Sequence, residues 1–159
     1  MDLRYLTPLT PAEQLAQGLA ASQPMAMADR VRFSELDTQN HVNNKAYIDW
    51  FERVRIVHLN QVIVPHYAPG PAPRVALHSA SIRYHKEMLA EEPYIATAGV
   101  VTFRTSSLTL EQQIWSGDLR ATMQAVMVML RPDGSGARYP LPEDLCAHFI
   151  AEEGARRDA

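Results

Sequence analysis

The segment VRFSELDTQNHVNNKAYIDWFE, Val31 to Glu52, changes its hydrophobic period once, and the other elements can be placed from that change. Val31-Arg32-Phe33-Ser34 alternates in the manner of a strand. Glu35 to Asn43 is polar and reads as a loop. From Asn44 the apolar residues Tyr47, Trp50, Phe51, Val54 and Val57 recur at helical spacing. Asn43 is suited to cap that helix, because its side-chain oxygen can accept one of the first free N–H groups. Asp37 and His41 therefore sit in a loop immediately ahead of a helix N-terminus. Free backbone donors and acid–base side chains can converge there on one substrate.

The helix is predicted over about 44–61, ending before Pro65. Ala46, Tyr47, Ile48, Trp50, Phe51, Val54, Ile56 and Val57 leave it only a thin polar stripe, so it should be buried on most sides. Residues 65–73 hold four prolines and a glycine and read as a loop. Four strands are then predicted, over 74–85, 94–104, 108–115 and 119–130. In the last, Met123, Met127 and Met129 alternate with Arg120, Thr122 and Gln124. Methionines in such a row are core residues, adaptable enough to accommodate an acyl chain. Ser116-Gly117-Asp118 joins the last two strands as a hairpin turn.

Upstream, residues 1–9 read as an irregular lead. Thr10-Pro11-Ala12-Glu13 has the form of a capping box with proline at the first helical position, opening a short helix to about Leu19 with Leu15 and Leu19 on one side. Downstream, Pro142-Glu143-Asp144 opens a final helix with Leu145, Phe149 and Ile150 as its apolar face. Strands that need cover on one side, following one long buried helix, predict an α+β domain: an antiparallel five-stranded sheet wrapped around a central helix, with short terminal helices. The expected organisation is an extension over 1–28, a core domain over 29–150 and a tail over 151–159.

Composition bounds the function. A chain of 159 residues suggests one domain. A formal net charge of −3 supplies no electrostatic footprint for nucleic acid and no polybasic membrane patch. No stretch approaches the ~18 apolar residues of a membrane span, and no signal peptide is evident, so a cytoplasmic location is expected. The single cysteine, Cys146, cannot form an intrachain disulfide and reads as a small buried side chain more readily than as a nucleophile. The histidines show no metal-ligand spacing, so no metal is expected.

The segment Val31 to Glu52 closely resembles the signature of the hotdog-fold acyl-CoA thioesterases of the 4-hydroxybenzoyl-CoA thioesterase type, and is similar to the related motif of plant acyl-ACP thioesterases. The matching elements are Val31-Arg32-Phe33, Asp37, His41-Val42-Asn43-Asn44, Tyr47 and Phe51-Glu52, and the resemblance extends over about residues 29–150. It implies a hotdog fold and hydrolysis of acyl-CoA to free acid and CoA, with no cofactor. It implies a homodimer or homotetramer with active sites at the subunit interface. It places the catalytic carboxylate at Asp37, as general base or as nucleophile, and the oxyanion donor at the backbone N–H of Asn44. Asn43 and Tyr47 are the substrate-binding candidates.

His41 can pair with Asp37, orient water, protonate the leaving thiolate or pin the loop. Glu87 lies where the plant-type enzymes carry a further acidic residue, and its plainer reading is a solvated strand-end charge. Glu35 and Asp49 read as surface charges. Gln39 stands where the plant-type enzymes have an asparagine, a departure from their scheme. Two alternatives compete with hydrolysis. A hotdog hydratase or dehydratase would carry Asp-x-Asn-Pro-x-His, and no proline separates Asp37 from His41. A non-catalytic acyl-CoA-binding module has no use for a carboxylate facing an electrophilic carbonyl.

Overall fold

The computed structural model describes residues 2–159. It contains the predicted architecture: one long helix, α2 (Asn44–His58), lies across an antiparallel sheet. The strands are β1 (Met25–Arg30), β2 (Arg74–Tyr84), β3 (Pro93–Phe103), β4 (Ser107–Ser116) and β5 (Asp118–Leu130), in the order β1-β3-β4-β5-β2. A two-residue strand, β6 (Arg156–Arg157), adds a short parallel pairing to β3. This is the hotdog arrangement. None of the described helices is long and apolar enough to cross a membrane.

The core lies between α2 and the inner face of the sheet. Trp50, Phe51 and Val54 of the helix are buried, as are Leu108, Leu110 and Ile114 of β4 and Met123, Met127 and Met129 of β5. The predicted methionine row is thus core. The β4–β5 turn forms as expected, with Gly117 at φ +74°, a region open to glycine at little steric cost. Asn43 caps α2, its Oδ1 accepting from Ala46 N at 2.9 Å.

Several elements differ from expectation, each for a local reason. The strand ahead of the site is Met25–Arg30, and Phe33–Glu35 forms a 3-10 turn. The regular β1–β3 pairing runs from Met25↔Ala98 to Arg30↔Pro93, and one further bond, from Val31 N to Glu92 O at 2.9 Å, follows it. The Glu35 carboxylate then accepts from Arg32 N at 2.8 Å and closes the turn. The helical path does not stop before Pro65. After His58 it widens into a π-turn, Leu59–Ile63, and tightens into a 3-10 turn, Val64–Tyr67. Pro65 stands where the wide turn gives way to the tight one.

The capping box at Thr10 and Glu13 forms, but the first helix, α1 (Pro11–Ala16), ends early. Its buried side is Gln14, which bonds to Leu9 O, Gln23 O and Gln23 N, while Leu15 is exposed. The lead is not irregular throughout: Leu6 N and Leu9 N donate to Ala28 O and Ala26 O along the free edge of β1. Leu9 and Leu19 join Ala26, Ala28 and Ile95 in a second, smaller core. In α3 (Glu143–Glu153), Leu145, Cys146 and Phe149 face inward and Ile150 faces solvent. Ile48 and Ile56 of α2 are also about half exposed, so the central helix keeps one open face.

The far edge of the sheet is bare. β2 pairs only with β5 among the described residues, and along its 11 residues none is fully buried. A long edge of this kind presents unpaired backbone donors and acceptors to another chain.

Candidate active site

The loop between β1 and α2 is held by its own polar groups. Asp37 N donates to His41 O at 2.7 Å, and Asp37 Oδ1 accepts from Gln39 N at 2.8 Å and His41 N at 3.1 Å. This side-chain-to-backbone turn is a local preference of aspartate. Asn40 adopts φ +62°, which asparagine tolerates better than most residues. One carboxylate oxygen of Asp37 is thus committed to the loop. Oδ2 has no hydrogen bond among the described residues.

A second loop, from His85 to Glu92, packs beside the first. Val42 N donates to Met88 O at 2.9 Å, and His41 forms a bridge with Leu89. The two loops and the start of α2 enclose an open cleft of about 430 Å³, lined by Asp37, His41, Val42, Asn44, Tyr47, Tyr84, His85, Lys86 and Glu87. Asp37, His41, Asn44, Tyr47 and Glu87, each singled out from the sequence, meet around this space. Asn43 stands next to it, its side chain occupied by the helix cap.

The pairing inside the cleft was not legible in advance. The His41 ring does not pair with Asp37. Its Nδ1 lies 3.2 Å from Glu87 Oε2, while Asp37 takes the backbone N–H of the same histidine. Side chains this exposed give an ion pair worth roughly 0–1 kcal/mol to folding. Asn44 is the first helical residue, so its N–H has no acceptor within the helix. Tyr47 packs edge-on against Tyr84 with ring centroids 5.1 Å apart. Burial pushes the Tyr47 phenol up to about 12, so it stays protonated at neutral pH.

Two residues that hold this geometry escaped the sequence reading. Glu35, read as a surface charge, ties three segments together. Its Oε2 accepts from the buried Trp50 indole at 2.6 Å, its Oε1 closes the 3-10 turn, and its backbone oxygen accepts from Asn43 N at 2.8 Å. Arg120 falls on the polar side of the β5 alternation yet is 8% exposed. Its guanidinium donates to Glu87 O at 2.6 Å, to Glu92 Oε1 at 3.1 Å and to Asp118 Oδ1 at 2.5 Å, fixing the second loop. Its partners are up to 33 residues distant, so no local pattern marks it. The Glu35 contacts predict that Glu35→Ala lowers stability by about 1–3 kcal/mol, since it strips a buried indole N–H of its acceptor. Urea unfolding of the two proteins measures this. A change near zero would remove Glu35 as the anchor.

Comparison with known proteins follows the same lines. The model of the thioesterase-like superfamily matches residues 31–149. A thioesterase-superfamily structure from Jannaschia sp. CCS1 is 40% identical, covers 98% of this chain and 99% of its own, and superposes with a TM-score of 0.88. A thioesterase from Thermus thermophilus, solved with coenzyme A and zinc, is 24% identical over 82% of this chain and 100% of its own, with a TM-score of 0.69. At that identity the second likeness speaks for the fold. A comparison with curated protein sequences finds no match.

Proposed function

The chain belongs to the thioesterase-like superfamily, and on that premise we propose that it hydrolyses acyl-CoA thioesters to a free acid and CoA at the cleft ahead of α2. One observation carries the reading: a carboxylate with an uncommitted oxygen, Asp37, lines the same cleft as the unpaired first N–H of the central helix. Thioester hydrolysis asks for those two groups together, one to activate the attack and one to stabilise the oxyanion.

Asp37 Oδ2 deprotonates a water, a role worth typically ~10²–10⁴-fold, or attacks the carbonyl itself to form a mixed anhydride that water then opens. In either route the carbonyl oxygen gains negative charge beside the Asn44 N–H. The helix N-terminus adds roughly half a positive charge at that point. His41, held by Glu87, stands at the cleft wall, where its imidazole can deliver a proton to the departing thiolate. Tyr47 and Tyr84 offer an apolar wall with protonated phenols. The Thermus thermophilus thioesterase of the same fold was solved with coenzyme A, which supports CoA as the carrier group here. The test is a thiol-release screen over short, medium, long and aromatic acyl-CoAs. Release from at least one is expected. Binding without release across the series would leave a carrier or sensor module instead.

The bare edge of β2 supports a homodimer joined edge to edge, with each cleft near the boundary through Tyr84 and His85. A second β2 would satisfy the unpaired backbone groups and cover half-exposed Leu77 and Tyr84. Light scattering should give twice the 17.8 kDa chain mass, or four times if dimers pair further. A monomer at micromolar concentration would count against the edge as an interface.

A further inference from the structure

Three consecutive residues of the cleft, His85, Lys86 and Glu87, are fastened by one residue that does not line it. That residue is Arg120, the third of β5. Its backbone oxygen accepts from His85 N at 2.8 Å and from Lys86 N at 3.2 Å. Its guanidinium donates from Nη1 to Glu87 O at 2.6 Å, a short, charge-assisted bond. The Lys86 ammonium reaches the same group from its other side, through Asp118 Oδ2 at 3.0 Å, while Asp118 Oδ1 accepts from Arg120 Nε.

The chain of bonds continues to the loop ahead of α2. Arg120 Nη2 donates to Glu92 Oε1 at 3.1 Å, and Glu92 Oε2 accepts from Leu89 N at 2.7 Å, which closes the end of the second loop. Within that loop Met88 O accepts from Val42 N at 2.9 Å, and Leu89 bridges to His41. Arg120 is thus joined to His41 by backbone bonds on one route and by the Glu87 side chain on the other.

The second route needs a pinned backbone. The Glu87 side chain is 63% exposed, and its one hydrogen bond or ion pair among the described residues is to His41 Nδ1 at 3.2 Å. So exposed a pair holds itself weakly, and its geometry follows from where the backbone sets the glutamate. Arginine suits that task because its five donors lie in one rigid plane. Arg120 uses that plane to meet a carbonyl and two carboxylates at once, with its side chain only 9% exposed. A lysine keeps the charge and loses the fork.

We propose that Arg120 is a positioning residue for the reaction, holding the Glu87 carboxylate against His41 through the Glu87 backbone. The proposal rests on the hydrolytic reading of the cleft. Arg120 touches neither the substrate nor a reacting atom. Its effect is on the placement of His41, the group that delivers a proton to the departing thiolate. Misplacement by about 1 Å is enough to cost up to about 10²-fold in rate.

A double-mutant cycle in kcat tests this, on an acyl-CoA that the wild type turns over. Arg120→Lys should lower kcat about tenfold with KM changed less than about threefold. Glu87→Gln should lower kcat at least as much. Added to Glu87→Gln, Arg120→Lys should cost less than about threefold more, because the contact it positions is already gone. A merely structural role for Arg120 gives the full loss a second time. That additive result, or an Arg120→Lys variant as active as the wild type, overturns the proposal. If Arg120→Lys does not fold, Glu92→Gln loosens the same fork from its more exposed end and takes its place in the cycle. Asp37→Asn, measured alongside, keeps the two claims apart. If it is inactive and the cycle is additive, the positioning role alone falls; if it is active, the hydrolytic reading falls and this proposal with it.

Discussion

Asp37→Asn should lower thiol release by about 10²–10⁴-fold, the range of a lost general base, with the fold and the loop intact. Asparagine keeps a side-chain oxygen where Oδ1 accepts from Gln39 N and His41 N, so the turn ahead of α2 survives. What it cannot do is take a proton from water or attack the carbonyl to form an anhydride at neutral pH. Asp37→Ala should be equally inactive and in addition loosen the loop, because two backbone N–H groups lose their acceptor. The comparison separates chemistry from architecture. If Asp37→Asn is active and Asp37→Ala is not, the residue is a loop pin and the carboxylate chemistry lies elsewhere. Unfolding midpoints and circular dichroism on both variants check that the fold is kept.

The second large effect is expected at a backbone group. Asn44→Pro removes the one N–H proposed to face the oxyanion, at a loss of about 2.7–4 kcal/mol in transition-state stabilisation, or 10²–10³ in kcat. Few positions allow such a test, and this one does for two structural reasons. Asn44 is the first residue of the helix, where proline is favoured because its missing N–H has no helical partner to lose. Asn43, the residue before it, is already extended at φ −73°, ψ 154°, the conformation a following proline demands. Asn44→Ala is the matched control: it deletes the side chain, keeps the N–H and should retain most activity. An inactive alanine variant with an active proline variant would reverse the assignment and make the amide side chain the working group.

The parts legible in the sequence are those whose causes are local. Tyr47, Trp50, Phe51 and Val54 mark the central helix by their spacing, Asn43 caps it through an acceptor three residues away, and Gly117 allows the turn between β4 and β5. The candidate residues Asp37, His41 and Asn44 fall inside one short segment, so their convergence follows once the helix start is placed. Glu87 joins them only through the sheet, and its pairing with His41 instead of Asp37 depends on the loop that Arg120 fixes. Alternation placed Arg120 on the polar side of β5 correctly. It could not show that the loop after β2 folds back over that side and buries it.

The displaced strand ahead of the site has a local cause that alternation does not show. Val31 to Ser34 alternates, yet after Val31 N bonds to Glu92 O the Glu35 carboxylate accepts from Arg32 N and closes a 3-10 turn. Gln112 and Arg55 complete the pattern. Each is a polar residue on an otherwise apolar face, and each is buried because the other supplies part of its hydrogen bonding across 57 residues of chain.

Asp37 is the group on which opening of the thioester is proposed to depend. Its most direct measurement is thiol release by the wild type and Asp37→Asn, side by side, on whichever acyl-CoA the screen shows to be turned over fastest. A steady wild-type rate with the variant at the spontaneous background, both proteins folded and both binding the substrate, is the predicted result. Equal rates from the two proteins would contradict it.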